Sequence, residues 1–336
     1  MSHRSSAPIA AIEENTTMKT ILVFWKITEN QIRQIRDVAA EGGYEVIYET
    51  DLQAAAEKAK GAEIFYGNDI APVKAAADPK WFCTYFAGAN AYTGEGILPE
   101  GCLLSNSAGA YGVTISEHII MAALNMMRNF IAEYRIGQTD TWTGKDIPMD
   151  SLYGSRITVL GTGDIGTTFA ERVRSFHPAQ IIGVNRSGRK PSEDFDHILT
   201  QDRLSRILPE TDLLVMSLPE TKETIGILDA EKLALLPKTA YIVNVGRGTS
   251  IDEAALVRAL NNHELAGAAL DVMYTEPLPA GDPLRSADNI LLTPHIAGQM
   301  NLAYTKQKNV DMFCEDLENY IHGRPLKYQV DISLGY

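Results

Sequence analysis

The chain has 336 residues, 45% of them apolar, and a formal net charge of −13 at pH 7. That length suits two domains of ordinary size with sizeable cores, and no apolar run reaches the roughly 18 residues that cross a bilayer. The negative charge repels nucleic acid and anionic membranes, so neither is an expected partner, and any anionic ligand must be held by a local cluster of donors and cations.

Residues 1–17 are poor in apolar periodicity and lack the apolar core of a signal peptide, while Glu13 and Glu14 argue against a transit peptide. They read as a flexible extension, with Met18 opening the fold. From 19 to about 105, apolar runs at 21–25, 45–48, 64–66 and 82–86 read as strands, and 29–41 and 52–60 as helices between them. This rhythm implies a parallel sheet covered by helices. Residues 113–134 read as one long helix. A second series starts at 157–160, a continuous apolar run typical of a strand buried on both faces. A helix follows at 164–176, then strands at 181–184, 213–218, 241–245, 267–270 and 290–292. Pro237, Pro277, Pro283 and Pro294 punctuate the connections, and a last helix at 302–321 is ended by Gly323 and Pro325. There is no internal repeat, although the two series can be two similarly built domains. Three cysteines, Cys83, Cys102 and Cys314, form no CxxC pair, which fits thiols used as core residues in a reducing cytoplasm.

Gly161-Thr162-Gly163-Asp164-Ile165-Gly166 matches GxGxxG. The pattern alone is weak, but here it follows a buried strand and opens a helix, as dinucleotide binding requires. Gly161 allows the tight turn, Gly163 lets the backbone approach a pyrophosphate, and Gly166 lets helix and strand pack closely. The helix N-terminus offers N–H groups and a positive dipole end to phosphates. An ordinary glycine-rich turn is the competing reading, and the flanking strand and helix weigh against it.

Arg247, Glu276 and His295 each follow a predicted strand of the second series, where open α/β sheets bind ligands. With the glycine turn, Asn106-Ser107-Ala108-Gly109 before Glu117-His118, and Ser217-Leu218-Pro219 with Thr221 and Thr224, the chain from about residue 20 resembles the D-isomer-specific 2-hydroxyacid dehydrogenases. That family includes D-lactate, glycerate and phosphoglycerate dehydrogenases and glyoxylate/hydroxypyruvate reductases. The resemblance implies an α/β fold of two doubly wound parallel-sheet domains. A Rossmann cofactor domain, 107–300, would be inserted into a flavodoxin-like substrate domain, 18–106 and 301–336, with a homodimer through the cofactor domains.

The same resemblance implies the site. Arg247 would hold the carboxylate and carbonyl of a keto acid with its planar fork and stabilise the growing oxyanion. His295 would exchange the proton, oriented by Glu276. Gly88 and Ala89, in Ala87-Gly88-Ala89-Asn90, would grip the substrate carboxylate; the family usually has aspartate where Asn90 stands. Tyr111 and the region of Trp142 would border the substrate. Cofactor contacts are expected at Gly161, Gly163, Asp164, Ile165, Gly166, Leu218, Pro219, Thr224, Val245, Asp271, His295 and Gly298. The implied activity is an NAD(P)-dependent interconversion of a small 2-keto acid and its (R)-2-hydroxy acid. The alternative is a cofactor-sensing corepressor on the same fold, against which the lack of a basic segment counts.

Cofactor choice is read from the end of the predicted strand 181–184. NAD-binding turns usually carry an acid roughly 20 residues past the glycines. Asn185 stands there instead, 19 residues after Gly166, followed by Arg186, Ser187, Arg189 and Lys190. An acid would repel a 2′-phosphate, whereas these residues can pair with it. NADP(H) is therefore the expected cofactor, with NAD(H) as the other option and a solvated basic loop as the bland reading.

Of the other histidines, His3, His177, His197, His263 and His322 read as ordinary surface or core residues, and His118 as a buried, hydrogen-bonded one. Tyr304 and Lys308 match the YxxxK of short-chain dehydrogenases, but a whole domain precedes the glycine turn here, so the match is read as coincidence. No HExxH, Walker A, Cys/His cluster or GxSxG is present, and no metal is expected.

Overall fold

The computed structural model describes residues 19–139 and 147–332. The proposed extension at 1–17 and the predicted substrate neighbour Trp142 lie outside the described residues. The first sheet holds β1 (Lys19–Val23), β2 (Tyr44–Tyr48), β3 (Ala62–Gly67), β4 (Trp81–Thr84) and β5 (Leu103–Ser105), in the order β2-β1-β3-β4-β5. All its pairings are parallel. Helices α1 (Glu29–Glu41), α2 (Leu52–Lys58) and α3 (Ile70–Ala75) connect the strands. Each starts where a side-chain oxygen takes an orphan N–H: Thr28 with Gln31 in a capping box, then Asp51 and Asp69.

The expected helix at 113–134 is two helices, α4 (Gly112–Met127) and α5 (Phe130–Gly137). The break falls at Asn129, which is left-handed at φ 49° and donates from Nδ2 to the Pro148 carbonyl at 2.6 Å. Asparagine tolerates that conformation, and the apolar periodicity runs on across it, so the pattern hid the break.

The second sheet contains β6 (Arg156–Leu160), β7 (Gln180–Asn185), β8 (His197–Thr200), β9 (Leu213–Met216), β10 (Tyr241–Asn244), β11 (Gly267–Leu270) and β12 (Ile290–Leu292). Its order is β12-β11-β10-β9-β6-β7-β8, again all parallel. The connecting helices are α6 (Asp164–Val173), α7 (Leu204–Ile207), α8 (Ala230–Leu233) and α9 (Glu253–Asn261). Chain direction across the sheet reverses between β6 and β9, and this switch point opens the crevice where such sheets bind ligands. The expected strands at 213–218 and 241–245 end early, at Met216 and Asn244, because the chain there turns into the crevice. Sequence reading missed β5, β8, α3, α7, α8 and α9, all of nine residues or fewer.

Helix α10 (Ala303–Ile321) returns to the first sheet, packing on α1. Its Phe313 stacks on Tyr66 at 4.1 Å and on Trp81 at 5.2 Å between ring centres. Beyond it, the Asn106 N–H donates to the Tyr328 carbonyl at 3.2 Å and the Val330 N–H to the Leu104 carbonyl at 2.9 Å. Asp316, 1% exposed, accepts from the backbone N–H groups of Lys327 at 2.6 Å and Tyr328 at 3.2 Å. Phe313→Ala is expected to cost about 3–5 kcal/mol of unfolding free energy. Denaturant titration followed by tryptophan fluorescence checks this, since Trp81 is a stacking partner; a loss within measurement error would mean that α10 docks by other contacts.

Candidate active site

The glycine turn leaves β6 and enters α6. Gly161 has φ 95°, and a Cβ there would lie 2.9 Å from the Ser217 carbonyl oxygen. A Cβ at Gly166 would meet the Gly161 oxygen at 2.0 Å, whereas one at Gly163 would meet nothing within 4 Å. Two of the glycines are thus needed by the protein itself, and the third faces open space. No side chain caps α6. Asp164 turns away, accepting the Gly112 N–H at 2.7 Å and so docking α4 onto α6; burial raises its carboxyl pKa, opposed by that hydrogen bond. The first N–H groups of α6 therefore remain for an anion, which fits a dinucleotide pyrophosphate.

Asn185 closes β7 and organises the next loop. Its Nδ2 donates to Thr162 Oγ1 at 2.7 Å and to the Arg189 carbonyl at 3.0 Å, and its Oδ1 accepts from the Gly188 N–H at 2.7 Å. Arg186, Ser187 and Arg189 line the same end of the cleft, with Glu223 close enough to Arg186 to feel its charge. Lys190 is turned to Glu193 at 2.7 Å.

Arg247 follows β10. Its Nη1 donates to the Gly246 carbonyl at 2.7 Å and its Nη2 to Asn90 Oδ1 at 3.4 Å. A Cβ on Gly88 would fall 1.9 Å from Nη2, so a side chain there would push the Arg247 guanidinium out of its present place. Burial pulls the guanidinium pKa down, and the nearby carboxylates of Glu220 and Glu276 oppose that shift.

His295 follows β12 with a left-handed backbone, φ 53°. Its Nδ1 lies 2.7 Å from Glu276 Oε2, and Glu276 Oε1 accepts the Met273 N–H at 2.9 Å. A carboxylate at Nδ1 selects the tautomer with hydrogen on that nitrogen and leaves Nε2 to face outward. The turn is anchored from below by Asp271, 3% exposed. Asp271 Oδ1 accepts from Thr293 Oγ1 at 2.6 Å and the Ile296 N–H at 2.9 Å, and Oδ2 from the Ala297 N–H at 2.9 Å. Thr293 Oγ1 is also 3.4 Å from His118 Nε2. Since the hydroxyl proton is committed to Asp271, His118 is the donor in that contact.

A cleft of about 710 Å³ runs from the Asn185 loop past the glycine turn to Arg247. Gly88, Gly161, Gly163, Asp164, Ile165, Asn185, Arg186, Ser187, Leu218, Pro219, Thr224, Val245 and Arg247 line it, as does Tyr111. Ala89 is buried at 2%, Gly166 serves helix packing, and Gly298 packs near Tyr111 and Ile115. Asp271, Glu276 and His295 stand outside this lining, with Asp271 occupied by the His295 turn. Sequence reasoning missed Gln201, Glu223 and the run Lys327, Tyr328 and Gln329, which also line the cleft. No local pattern marks them; the last three arrive through the return of the chain along β5. Among the described residues there is no cluster suited to a metal ion and no helix long and apolar enough to cross a membrane.

Residues 120–297 match the family model for the D-isomer specific 2-hydroxyacid dehydrogenase, NAD binding domain. The chain belongs to the D-isomer-specific 2-hydroxyacid dehydrogenase family. It is accordingly an oxidoreductase of the CH–OH class with an NAD(P)-binding domain. It is 31% identical over 233 residues to a glyoxylate reductase of Thermofilum pendens, covering 68% of each chain. A crystal structure of a D-isomer specific 2-hydroxyacid dehydrogenase family protein from Aeromonas salmonicida superposes with a TM-score of 0.82 at 27% identity, covering 94% of this chain and 100% of that one. A second family structure, from Xanthobacter autotrophicus in complex with NADPH and MES, gives a TM-score of 0.77 at 26% identity, covering 94% and 99%.

His118 generates a pH test. Burial lowers its pKa below the usual 6.5, with Asp271 opposing. Between the folded value and 6.5 the unfolded chain binds the proton more readily, so stability falls as pH drops through that window. His118→Asn removes the titrating group and keeps a donor. The wild-type Tm should therefore fall relative to the variant as pH goes from about 8 to about 5, measured by differential scanning calorimetry. A constant difference would contradict the assignment.

Proposed function

We propose that the chain reduces small 2-keto acids to (R)-2-hydroxy acids, working mainly as an NADPH-dependent reductase. The observation that carries this reading is the Glu276–His295 pair, 2.7 Å apart, in the same site as a buried Arg247 whose charge Glu276 helps to hold. That combination supplies an anion clamp, an oxyanion stabiliser and an oriented proton donor.

In this reading the reduced nicotinamide supplies a hydride to the carbonyl carbon. Gly161, Gly163, Asp164 and Ile165 at the α6 N-terminus would hold the cofactor phosphates, with Leu218, Pro219, Thr224 and Val245 as further contacts from the cleft wall; Gly166, Asp271 and Gly298 would support that wall from behind. The N–H groups of Gly88 and Ala89 and the fork of Arg247 hold the substrate carboxylate. As the carbonyl oxygen gains charge, Arg247 stabilises it and the Nε2 proton of His295 moves to it. The imidazole ends neutral, with Nδ1–H still on Glu276; oxidation of the hydroxy acid reverses these moves. The substrate domain comprises 18–106 and 301–336 and the cofactor domain 107–300, a division supported by the packing of α10 on the first sheet. A homodimer through the cofactor domains is supported by exposed Met121, Phe130 and Tyr134 on α4 and α5. Three free, buried cysteines support a cytoplasmic setting.

Oxidation of NADPH and NADH, followed at the reduced-nicotinamide absorbance band with glyoxylate, hydroxypyruvate, pyruvate, phenylpyruvate and branched 2-keto acids, tests the reading. No turnover with any of them would end it. His295→Ala should lower kcat by roughly 100-fold or more, the usual scale for a general acid, while cofactor binding persists; near-normal turnover would remove His295 from that role.

Cofactor preference rests on Asn185, Arg186, Ser187 and Arg189 at one end of the cleft. Asn185 adds no negative charge there, and two guanidinium groups outnumber Glu223. The NADPH-bound relative from Xanthobacter autotrophicus supports the same choice. The wild type should show the higher kcat/KM with NADPH, and Asn185→Asp with Arg186→Ala should shift preference towards NADH. A wild type that prefers NADH overturns the cofactor assignment alone.

A further inference from the structure

The glycine turn carries no cation of its own, since Thr162, Asp164 and Ile165 fill its variable places. A pyrophosphate on the turn would therefore meet the N–H groups of α6 beside an acidic side chain. Arg186 and Arg189 line the cleft at its Asn185 end and Arg247 at the other. Among the described residues one more cation lines it, and it comes from far along the chain. Lys327 lies on the segment that returns beside β5.

That segment is fixed on both sides. Buried Asp316 accepts the Lys327 N–H at 2.6 Å and the Tyr328 N–H at 3.2 Å, and the Tyr328 carbonyl accepts the Asn106 N–H at 3.2 Å. Asn106 Oδ1 takes the Ala108 N–H at 3.2 Å, and the chain then runs into α4, where the Gly112 N–H donates to Asp164 at 2.7 Å. The backbone that carries Lys327 is thus linked, through four residues, to the first residue of α6.

The side chains follow the same route. Lys327 Nζ donates to Glu315 Oε1 at 2.7 Å, and the Tyr328 hydroxyl to Glu315 Oε2 at 2.6 Å. The hydroxyls of Thr305 on α10 and Thr114 on α4 are hydrogen-bonded, and Lys308 follows Thr305 by three residues, on the same helix face. Its charge acts on both Asp164 and Glu315. Asp164, Lys308, Glu315 and Lys327 therefore alternate in sign, and the two end members line the cleft. Lys308 offsets the acid in the turn. The Lys327–Glu315 pair is solvent-exposed and hence weak, so the ammonium has protons to offer a phosphate.

We propose that Lys327 is a cofactor-binding residue supplied from the lobe of the first sheet, its ammonium meeting the dinucleotide pyrophosphate over the α6 N-terminus. This rests on the placement of the cofactor phosphates given above. Lys327 then serves NADPH and NADH alike, because both carry the pyrophosphate and only one carries the 2′-phosphate.

Dissociation constants for NADPH and NADH are measured by nicotinamide fluorescence for wild type, Lys327→Gln, Lys327→Arg and Glu315→Gln. Lys327→Gln should raise both constants by the same factor, about 10-fold, as for loss of a charged hydrogen bond, with their ratio unchanged. Lys327→Arg keeps the charge and should stay within about twofold of wild type. Glu315→Gln breaks the same ion pair but leaves the ammonium, so it should bind both dinucleotides at least as well as wild type; a merely structural role would make it as weak as Lys327→Gln. Unchanged constants in Lys327→Gln, a loss confined to NADPH, failure of Lys327→Arg to restore binding, or a parallel loss in Glu315→Gln overturns the proposal. A wild type that binds neither dinucleotide refutes the underlying cofactor placement instead, and no outcome depends on turnover of a keto acid.

Discussion

The site depends on backbone approaching backbone more closely than any side chain permits. A Cβ at Gly166 would lie 2.0 Å from the Gly161 oxygen, one at Gly246 2.7 Å from the Leu218 oxygen, and one at Gly248 1.9 Å from the Met273 carbonyl carbon. These contacts bind together the loops that leave β6, β9, β10 and β11. Parallel strands deliver those loops to one edge of the sheet, but only the missing side chains let them close into a single wall.

Within that wall the electrostatics are local. The chain carries a net charge of −13, yet the anion-binding features are a buried guanidinium and a helix N-terminus that no side chain caps. Acidic groups near them serve other work. Asp164 docks α4, Asp271 holds the His295 turn, and Glu276 orients the imidazole. Each carboxylate is met by N–H or O–H donors, which is how a strongly acidic protein keeps an anion site.

Much of this was legible in the sequence because it depends on local patterns. Helix α1 runs over the predicted span, fixed by its apolar spacing and by Thr28 and Gln31. The glycine turn stood out because its three glycines each have a separate physical use. Short elements at sheet edges, such as β5 and β8, gave too few residues for a period to emerge. The break at Asn129 was masked by apolar residues on both sides. The hydrogen bonds of Asn90 to Glu220 and Arg247 join positions more than a hundred residues apart, and nothing local announces them. The same holds for Lys327, Tyr328 and Gln329, brought to the cleft by pairing beside β5 rather than by any motif of their own.

The stacking of Phe313 between Tyr66 and Trp81 sets an order of events during synthesis. Trp81 leaves the ribosome 232 residues before Phe313, which at about 5–20 residues per second is a delay of roughly ten to fifty seconds. For that interval the nascent first sheet presents the aromatic face that α10 later covers, while the second sheet is still being made. The early lobe is therefore the aggregation-exposed part of the newborn chain, and a chaperone acting during translation would find its binding surface there.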